Sequence, residues 1–264
     1  MERVGAGREA EIFAWDEGRV LRLARTPFLG RYVDRERAAL EAAQGAGAPV
    51  PAVYERVDVD GRPGLVLERI EGHDLLTGAL RRPWALPLLP GVLARVHSSL
   101  HTIEAPTDLP DLRTDIDWRL QSELVPAELA EAARRALERL PAGDRLYHGD
   151  FHPGNVLRRR DGYAVIDWRN AARADPAADV ARTRLLMVGA WIPGWGPSAA
   201  QQVLAPVRLA LYAAYRREYG RLRPIARSAV SAWLPVLAAA RLAEGISQEQ
   251  RRLLTIARRC LRPA

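Results

Sequence analysis

The 264-residue sequence predicts an α+β fold of two lobes, a small strand-rich one followed by a larger, mainly helical one. Three observations carry this. Short apolar runs separated by Asp- and Gly-containing turns dominate the chain up to residue 70. Beyond Gly72 the apolar residues recur at helical spacing. One further strand–turn–strand pattern is set inside the helical part, around residues 155–167.

Taken in order, Glu2–Val4 reads as a first strand that leads into Gly5-Ala6-Gly7. Glu11–Trp15 and Arg19–Ala24 flank an Asp16-Glu17-Gly18 turn and make a hairpin. A helix spans about Arg31–Gln44, stopped by Gly45 and Gly47. Val53–Val59 and Gly64–Ile70 form a second hairpin about Asp60-Gly61. Residues 66–72 then act as a connector, which divides the chain into lobes 1–70 and 71–264 with a ligand-sized cleft expected between them. In the second lobe Leu86–Leu100 and Ala127–Leu140 have helical spacing. Asn155–Leu157 and Tyr163–Asp167 make a third hairpin about Arg160-Asp161-Gly162, and Asp179–Arg262 reads as helices broken by Pro and Gly.

The composition, 48% hydrophobic and 27% charged, is that of a globular chain with a sizeable core. The one cysteine, Cys260, excludes an internal disulfide framework and fits a reducing cytoplasm. No apolar signal core follows Met1–Gly5. The most apolar late stretch, Leu185–Trp195, falls short of the roughly 20 residues a membrane span needs and holds Pro193 and Gly194. A cytoplasmic protein with no membrane partner is therefore expected. All 39 basic residues are arginine, which leaves a net charge of +7, and asparagine occurs only at Asn155 and Asn170. These arginines are scattered through helices that also hold acids, and no recognition motif accompanies them, so no nucleic-acid partner is expected.

The segment with chemistry is Tyr147-His148-Gly149-Asp150-Phe151-His152-Pro153-Gly154-Asn155-Val156-Leu157, followed by Val165-Ile166-Asp167-Trp168. Phosphoryl transfer asks a protein for an acceptor of the hydroxyl proton, for hard oxygen ligands to Mg²⁺, and for positive groups on the phosphates. Asp150 and Asn155 stand five apart on a loop that Pro153 and Gly154 can turn into one cleft. The hairpin after Asn155 returns the chain to Asp167 beside it, so an amide oxygen and a carboxylate flank one point, which suits Mg²⁺. Asp150 is left facing a substrate hydroxyl. A plain structural turn would use the same residue types; the recurrence of Asp at the required distance favours the catalytic reading.

These segments, with Asp175-Pro176-Ala177-Ala178-Asp179-Val180-Ala181, resemble the aminoglycoside phosphotransferase and choline kinase-like family, which has the protein kinase-like fold. The resemblance extends over nearly the whole chain and is most specific across 147–181. It implies that Asp150 is the catalytic base, that Asn155 and Asp167 bind magnesium, and that His148 and Asp179 support the catalytic loop. It implies ATP as donor, with Gly5 and Gly7 near its phosphates. Arg22 stands where the family carries a phosphate-binding lysine, and Glu36 is its helix partner. By the same resemblance the carbonyl of Glu68 and the N–H of Ile70 meet adenine, between walls formed by Val20, Leu157 and Ile166. His152 is a loop brace or a cleft residue. His97 matches a histidine position common in the family, with a core role as the plainer alternative.

The resemblance thus implies a small-molecule kinase that phosphorylates a hydroxyl of a sugar, nucleoside, antibiotic or amino alcohol. Arg22 in place of lysine keeps open a weakly active or inactive nucleotide-binding relative with a regulatory role. A protein kinase is disfavoured, because Asp167 is followed by Trp168-Arg169 rather than Phe-Gly. From Val180 onward the chain has 14 arginines against the acids Glu218, Glu244 and Glu249. A polycationic acceptor needs carboxylates, so this half is expected to suit an anionic or neutral one.

Overall fold

In a computed structural model, which describes residues 1–7, 9–192, 201 and 203–261, the first lobe is an antiparallel sheet of five strands. The strands are β1 (Arg3–Ala6), β2 (Ala10–Asp16), β3 (Arg19–Ala24), β4 (Val53–Val59) and β5 (Arg62–Glu68), in the order β1-β2-β3-β5-β4. The β4–β5 turn shows why sequence dictates register. Asp60 and Gly61 both have positive φ, 51° and 74°, as a two-residue hairpin turn of the right twist requires. Val59 therefore pairs with Arg62, two residues earlier than the strand expected from Gly64. β5 ends at Glu68, because the next N–H, of Arg69, donates to the Gly18 carbonyl.

Helix α1 (Gly30–Gly45) lies against this sheet and buries Val33, Glu36, Ala39, Leu40 and Ala43, an i, i+3, i+4 stripe. Glu36 is thus a charged member of an apolar face.

The second lobe holds α2 (Leu75–Arg81), α3 (Leu89–Leu100), α4 (Leu112–Arg119), α5 (Ala127–Glu138), α6 (Pro176–Gly189), α7 (Ala205–Leu222), α8 (Arg227–Leu242) and α9 (Ser247–Ala257). The helix expected over Leu86–Leu100 divides into a 3₁₀ segment, Pro83–Leu88, and α3, since Pro87 and Pro90 lack the N–H a continuous helix would use. Two short ribbons sit among the helices. One pairs β6 (Arg145–Tyr147) with β9 (Ala172–Ala174) and has no counterpart in the sequence reading. The other is the expected hairpin, β7 (Val156–Arg159) with β8 (Gly162–Val165). Trp168, Trp233, Tyr215, Tyr219 and Phe151 are the largest fully buried side chains, so the core of this lobe lies directly beneath the Asp150 loop. No helix among the described residues is long and apolar enough to cross a membrane.

Candidate active site

The ribbons set the geometry. β6 delivers Tyr147 to the centre of the lobe, and the chain then turns at Gly149, φ 78°. A Cβ there would lie 2.6 Å from Tyr147 Cε1 and 2.9 Å from the Asn170 carbonyl oxygen, so only glycine fits. Asp179, in the first turn of α6 and fully buried, accepts the N–H of His148 at 2.6 Å and that of Gly149 at 3.1 Å. Helix α6 starts where it does because Asp175 caps the Ala177 N–H and Pro176 follows it. Asp179 Oδ2 also faces Nε2 of His97 at 3.3 Å and of His101 at 3.4 Å. The other ring nitrogens meet hydroxyls, His97 Nδ1 at 2.7 Å from Tyr215 and His101 Nδ1 at 2.6 Å from Tyr219. Burial pulls Asp179 upward, but His97 and His101 prevail and hold it well below the usual carboxylate range. Burial pushes His97 down to about 4, so this imidazole is neutral.

His148 ties the Asp150 and Asp167 segments together. Its Nδ1 accepts the Asp150 N–H at 3.1 Å, and its Nε2 donates to the Ile166 carbonyl at 3.0 Å, one residue before Asp167. Burial lowers its pKa, which favours the neutral ring these two bonds require. Asn155 uses its Nδ2 on Asp150, at 2.9 Å to the carbonyl and 3.2 Å to Oδ2. With Nδ2 so engaged, Oδ1 is the Asn155 atom that could ligate a cation. The Ile166 N–H donates to the Asn155 carbonyl at 3.0 Å, so the hairpin closes with Asp167 beside Asn155. Asp167 has φ 65°, a left-handed conformation that costs a non-glycine residue about 1–2 kcal/mol. It is held there by buried Trp168, whose Nε1 donates to the Val165 carbonyl at 2.9 Å.

Arg22 on β3 spans the lobes. One guanidinium nitrogen is 2.7 Å from Glu36 and the other 2.8 Å from Asp167. Burial pushes the Glu36 carboxyl up to about 7, against the Arg22 charge and with Asp167 adding to the rise.

Asp150, His152 and Asp167 line one cleft of about 700 Å³. His152 Nδ1 accepts the Gly154 N–H at 3.0 Å, and its Nε2 lies 3.8 Å from Asp150. The two glycines expected near the phosphates belong to the β1–β2 hairpin. Gly5 lies within β1, opposite Ile12. The Gly7 N–H donates to the Ala10 carbonyl at 2.8 Å, so it is engaged in the hairpin rather than open to a phosphate. Val20, Leu157 and Ile166 are half-buried, as open walls of a slot would be, but none of them lines this cleft, nor do Glu68 and Ile70. The Glu68 carboxylate binds the Ala52 N–H at 3.1 Å and Arg159 at 2.9 Å.

Several residues of the site had gone unread in the sequence. Arg182 donates to the Gly149 carbonyl at 3.0 Å, Arg119 donates to Asn170 Oδ1 at 3.0 Å, and Arg169 pairs with Glu9 at 2.5 Å. His101 carried a signal, because His97/His101 and Tyr215/Tyr219 share a four-residue spacing that aligns each pair on one helix face.

Three solved structures illustrate the fold. An aminoglycoside phosphotransferase APH(4)-Ia mutant, in a ternary complex with AMP-PNP and hygromycin B, is 20% identical; 97% of this chain and 92% of that one are covered, with TM-score 0.65. A putative fructosamine-3-kinase from Haemophilus somnus 129PT is 14% identical over 99% and 90% of the chains, TM-score 0.65. A choline/ethanolamine kinase family protein from Mesorhizobium loti is 20% identical over 98% and 86%, TM-score 0.55. No curated protein matches the chain. The model of the phosphotransferase enzyme family (APH) matches residues 1–225, and the chain belongs to that family, as a small-molecule kinase acting on a hydroxyl group.

Proposed function

We propose that this kinase uses Asp150 to take the proton of the acceptor hydroxyl while the γ-phosphoryl group of ATP is transferred. The acceptor oxygen forms the new bond to the γ-phosphorus, the bond to the bridging oxygen breaks, and its electron pair leaves with ADP. The proton passes to the Asp150 carboxylate, whose Oδ2 accepts from Asn155 Nδ2 and whose backbone N–H is held by His148. Asn155 Oδ1 and Asp167 are hard oxygen donors suited to Mg²⁺, which when bound neutralises phosphate charge. Arg22, with Glu36 behind it, supplies the cation on the phosphate side.

The observation that carries this reading is the convergence of three residues from two chain segments. Asn155 grips Asp150, Asp167 lines the same cleft as Asp150, and the Ile166 N–H ties the Asp167 segment to the Asn155 carbonyl. Radiolabelled ATP and an acceptor panel test it, with Asp150→Ala as the diagnostic variant. Transfer falls by about 10²–10⁴ if a general base is lost, whereas AMP-PNP binding is retained. Undiminished transfer by the variant removes Asp150 from this role.

A further inference from the structure

The cleft that holds Asp150 is walled mainly by hydrocarbon. Leu76, Leu80 and Leu89 come from α2 and α3, and Leu186, Val207 and Leu211 come from α6 and α7. Leu80 and Val207 remain 55% and 50% exposed, so the walls hold apolar surface that nothing in the described fold covers.

The charges in the same cleft cancel. Glu9 meets Arg169 at 2.5 Å, and Asp167 meets Arg22 at 2.8 Å. Glu244 meets Arg182 at 2.5 Å, Arg241 at 2.8 Å and Arg119 at 3.6 Å. The surplus positive charge of that cluster is taken up from behind, Arg241 by Glu249 at 2.6 Å and Arg119 by Asp115 at 2.8 Å. Arg208 is turned onto the carbonyls of Leu186 and Met187, at 2.9 and 2.7 Å, near the end of α6, where helix carbonyls favour a cation. Asp150 is the one lining carboxylate, among the described residues, not held in an ion pair with an arginine; Arg182 acts on it only at longer range, and His152 Nε2 lies 3.8 Å away.

This narrows the expectation drawn from the arginine count, an anionic or neutral acceptor, to its neutral half. Arg184, Arg251, Arg252 and Arg259, which form no ion pair with a carboxylate among the described residues, line an adjoining cavity of about 630 Å³ that contains none of Asp150, Asn155 and Asp167. A polycation entering the catalytic cleft finds one unpaired carboxylate and gives up its hydration without return. An apolar molecule replaces water on both walls, and one hydroxyl suffices to meet Asp150.

We infer that the acceptor of this kinase is a predominantly apolar, uncharged alcohol, bound by the leucine-rich walls of the Asp150 cleft with its hydroxyl on Asp150. The inference rests on the phosphotransferase reading of that site. Atoms balance as in the transfer above, with the alcohol oxygen phosphorylated and ADP released.

The test uses the full chain with Mg²⁺ and radiolabelled ATP, and butanol, hexanol and octanol as acceptors beside amino-octanol and hygromycin B. Each methylene buried on the walls raises kcat/KM about fourfold, so octanol exceeds butanol by more than a hundredfold. Amino-octanol falls at least about tenfold below octanol, because its ammonium has no carboxylate to meet. Val207→Asp, at a half-exposed position that tolerates charge, lowers kcat/KM for octanol and leaves the thermal shift with MgAMP-PNP intact. No dependence on chain length, or faster turnover of hygromycin B than of octanol, overturns the inference while the kinase stands. Failure to bind MgAMP-PNP overturns the phosphotransferase reading and this inference with it.

Discussion

Replacing Arg22 with methionine removes the cation that spans the lobes and keeps most of the side-chain volume. Taking one partner from a buried ion pair costs about 3–5 kcal/mol, because the remaining charge is left without compensation. That figure applies to the Glu36 half, whose side chain is 2% exposed. The Asp167 half is 34% exposed, and water screens it to about 1 kcal/mol or less. Glu36 limits its own loss by taking up a proton. Its carboxyl already stands at about 7, so protonation near neutrality demands little work, and the expected loss at pH 7 is about 3 kcal/mol. The sign with pH follows. A carboxyl raised above its unfolded value of 4.5 costs stability progressively as pH rises from 4.5 to about 7. Without Arg22 its pKa rises further, and the loss continues into the alkaline range. The deficit of Arg22→Met is therefore larger near pH 8.5 than near pH 6.5. Urea unfolding at the two pH values measures it, and a double-mutant cycle with Glu36→Gln should give a coupling energy of about 2 kcal/mol or more. An unfolding free energy within about 0.5 kcal/mol of the parent at both pH values, or additive single effects, refutes the buried-bridge argument.

Three further perturbations test the loop and its support. Gly149→Ala places a methyl group against the Tyr147 ring and the Asn170 carbonyl at φ 78°, so a stability loss of about 3 kcal/mol or more is expected on chemical unfolding. Asp179→Ala strips the His148 and Gly149 N–H groups and two imidazoles of their shared acceptor; at about 1–3 kcal/mol for each buried group, calorimetry should show a collapse of the second lobe. Acid unfolding reports His97: a base whose folded pKa is depressed to about 4, from 6.5, stays neutral in the fold while the unfolded chain takes up a proton. Stability should therefore fall as pH drops from about 6.5 towards 4, and His97→Gln should flatten that slope.

What could be read in advance follows how local each feature is. The Asp60-Gly61 turn, the Arg19–Ala24 strand and the Asn155 hairpin are written in adjacent residues, and they stand within a residue or two of the expectation. Glu36 could be placed on a buried face because Ala39, Leu40 and Ala43 share its spacing. The β6–β9 ribbon joins segments 27 positions apart through three-residue strands, too short to leave a period. Gly5 and Gly7 are a different case. A Gly-x-Gly pattern permits an open anion-binding turn, but permission is not selection, and here the hairpin uses the Gly7 N–H itself.

The character of the cleft depends on information of a third kind. A count of 14 arginines against three acids after residue 179 points to a positive surface. Charge in a cleft depends instead on which side chains face each other, and Glu244 alone faces Arg119, Arg182 and Arg241. Asp115 and Glu249, themselves almost wholly buried, complete the balance from outside the cleft wall. Such a cluster is costly to desolvate and is maintained only when each charge is met. A chain that draws all its cations from arginine can satisfy this with forked guanidiniums that hold two carboxylates at once, as Arg22 and Arg241 do. The arginines that suggested an anionic or neutral ligand are, in this cleft, internal counter-ions, and they leave its leucines to choose the acceptor.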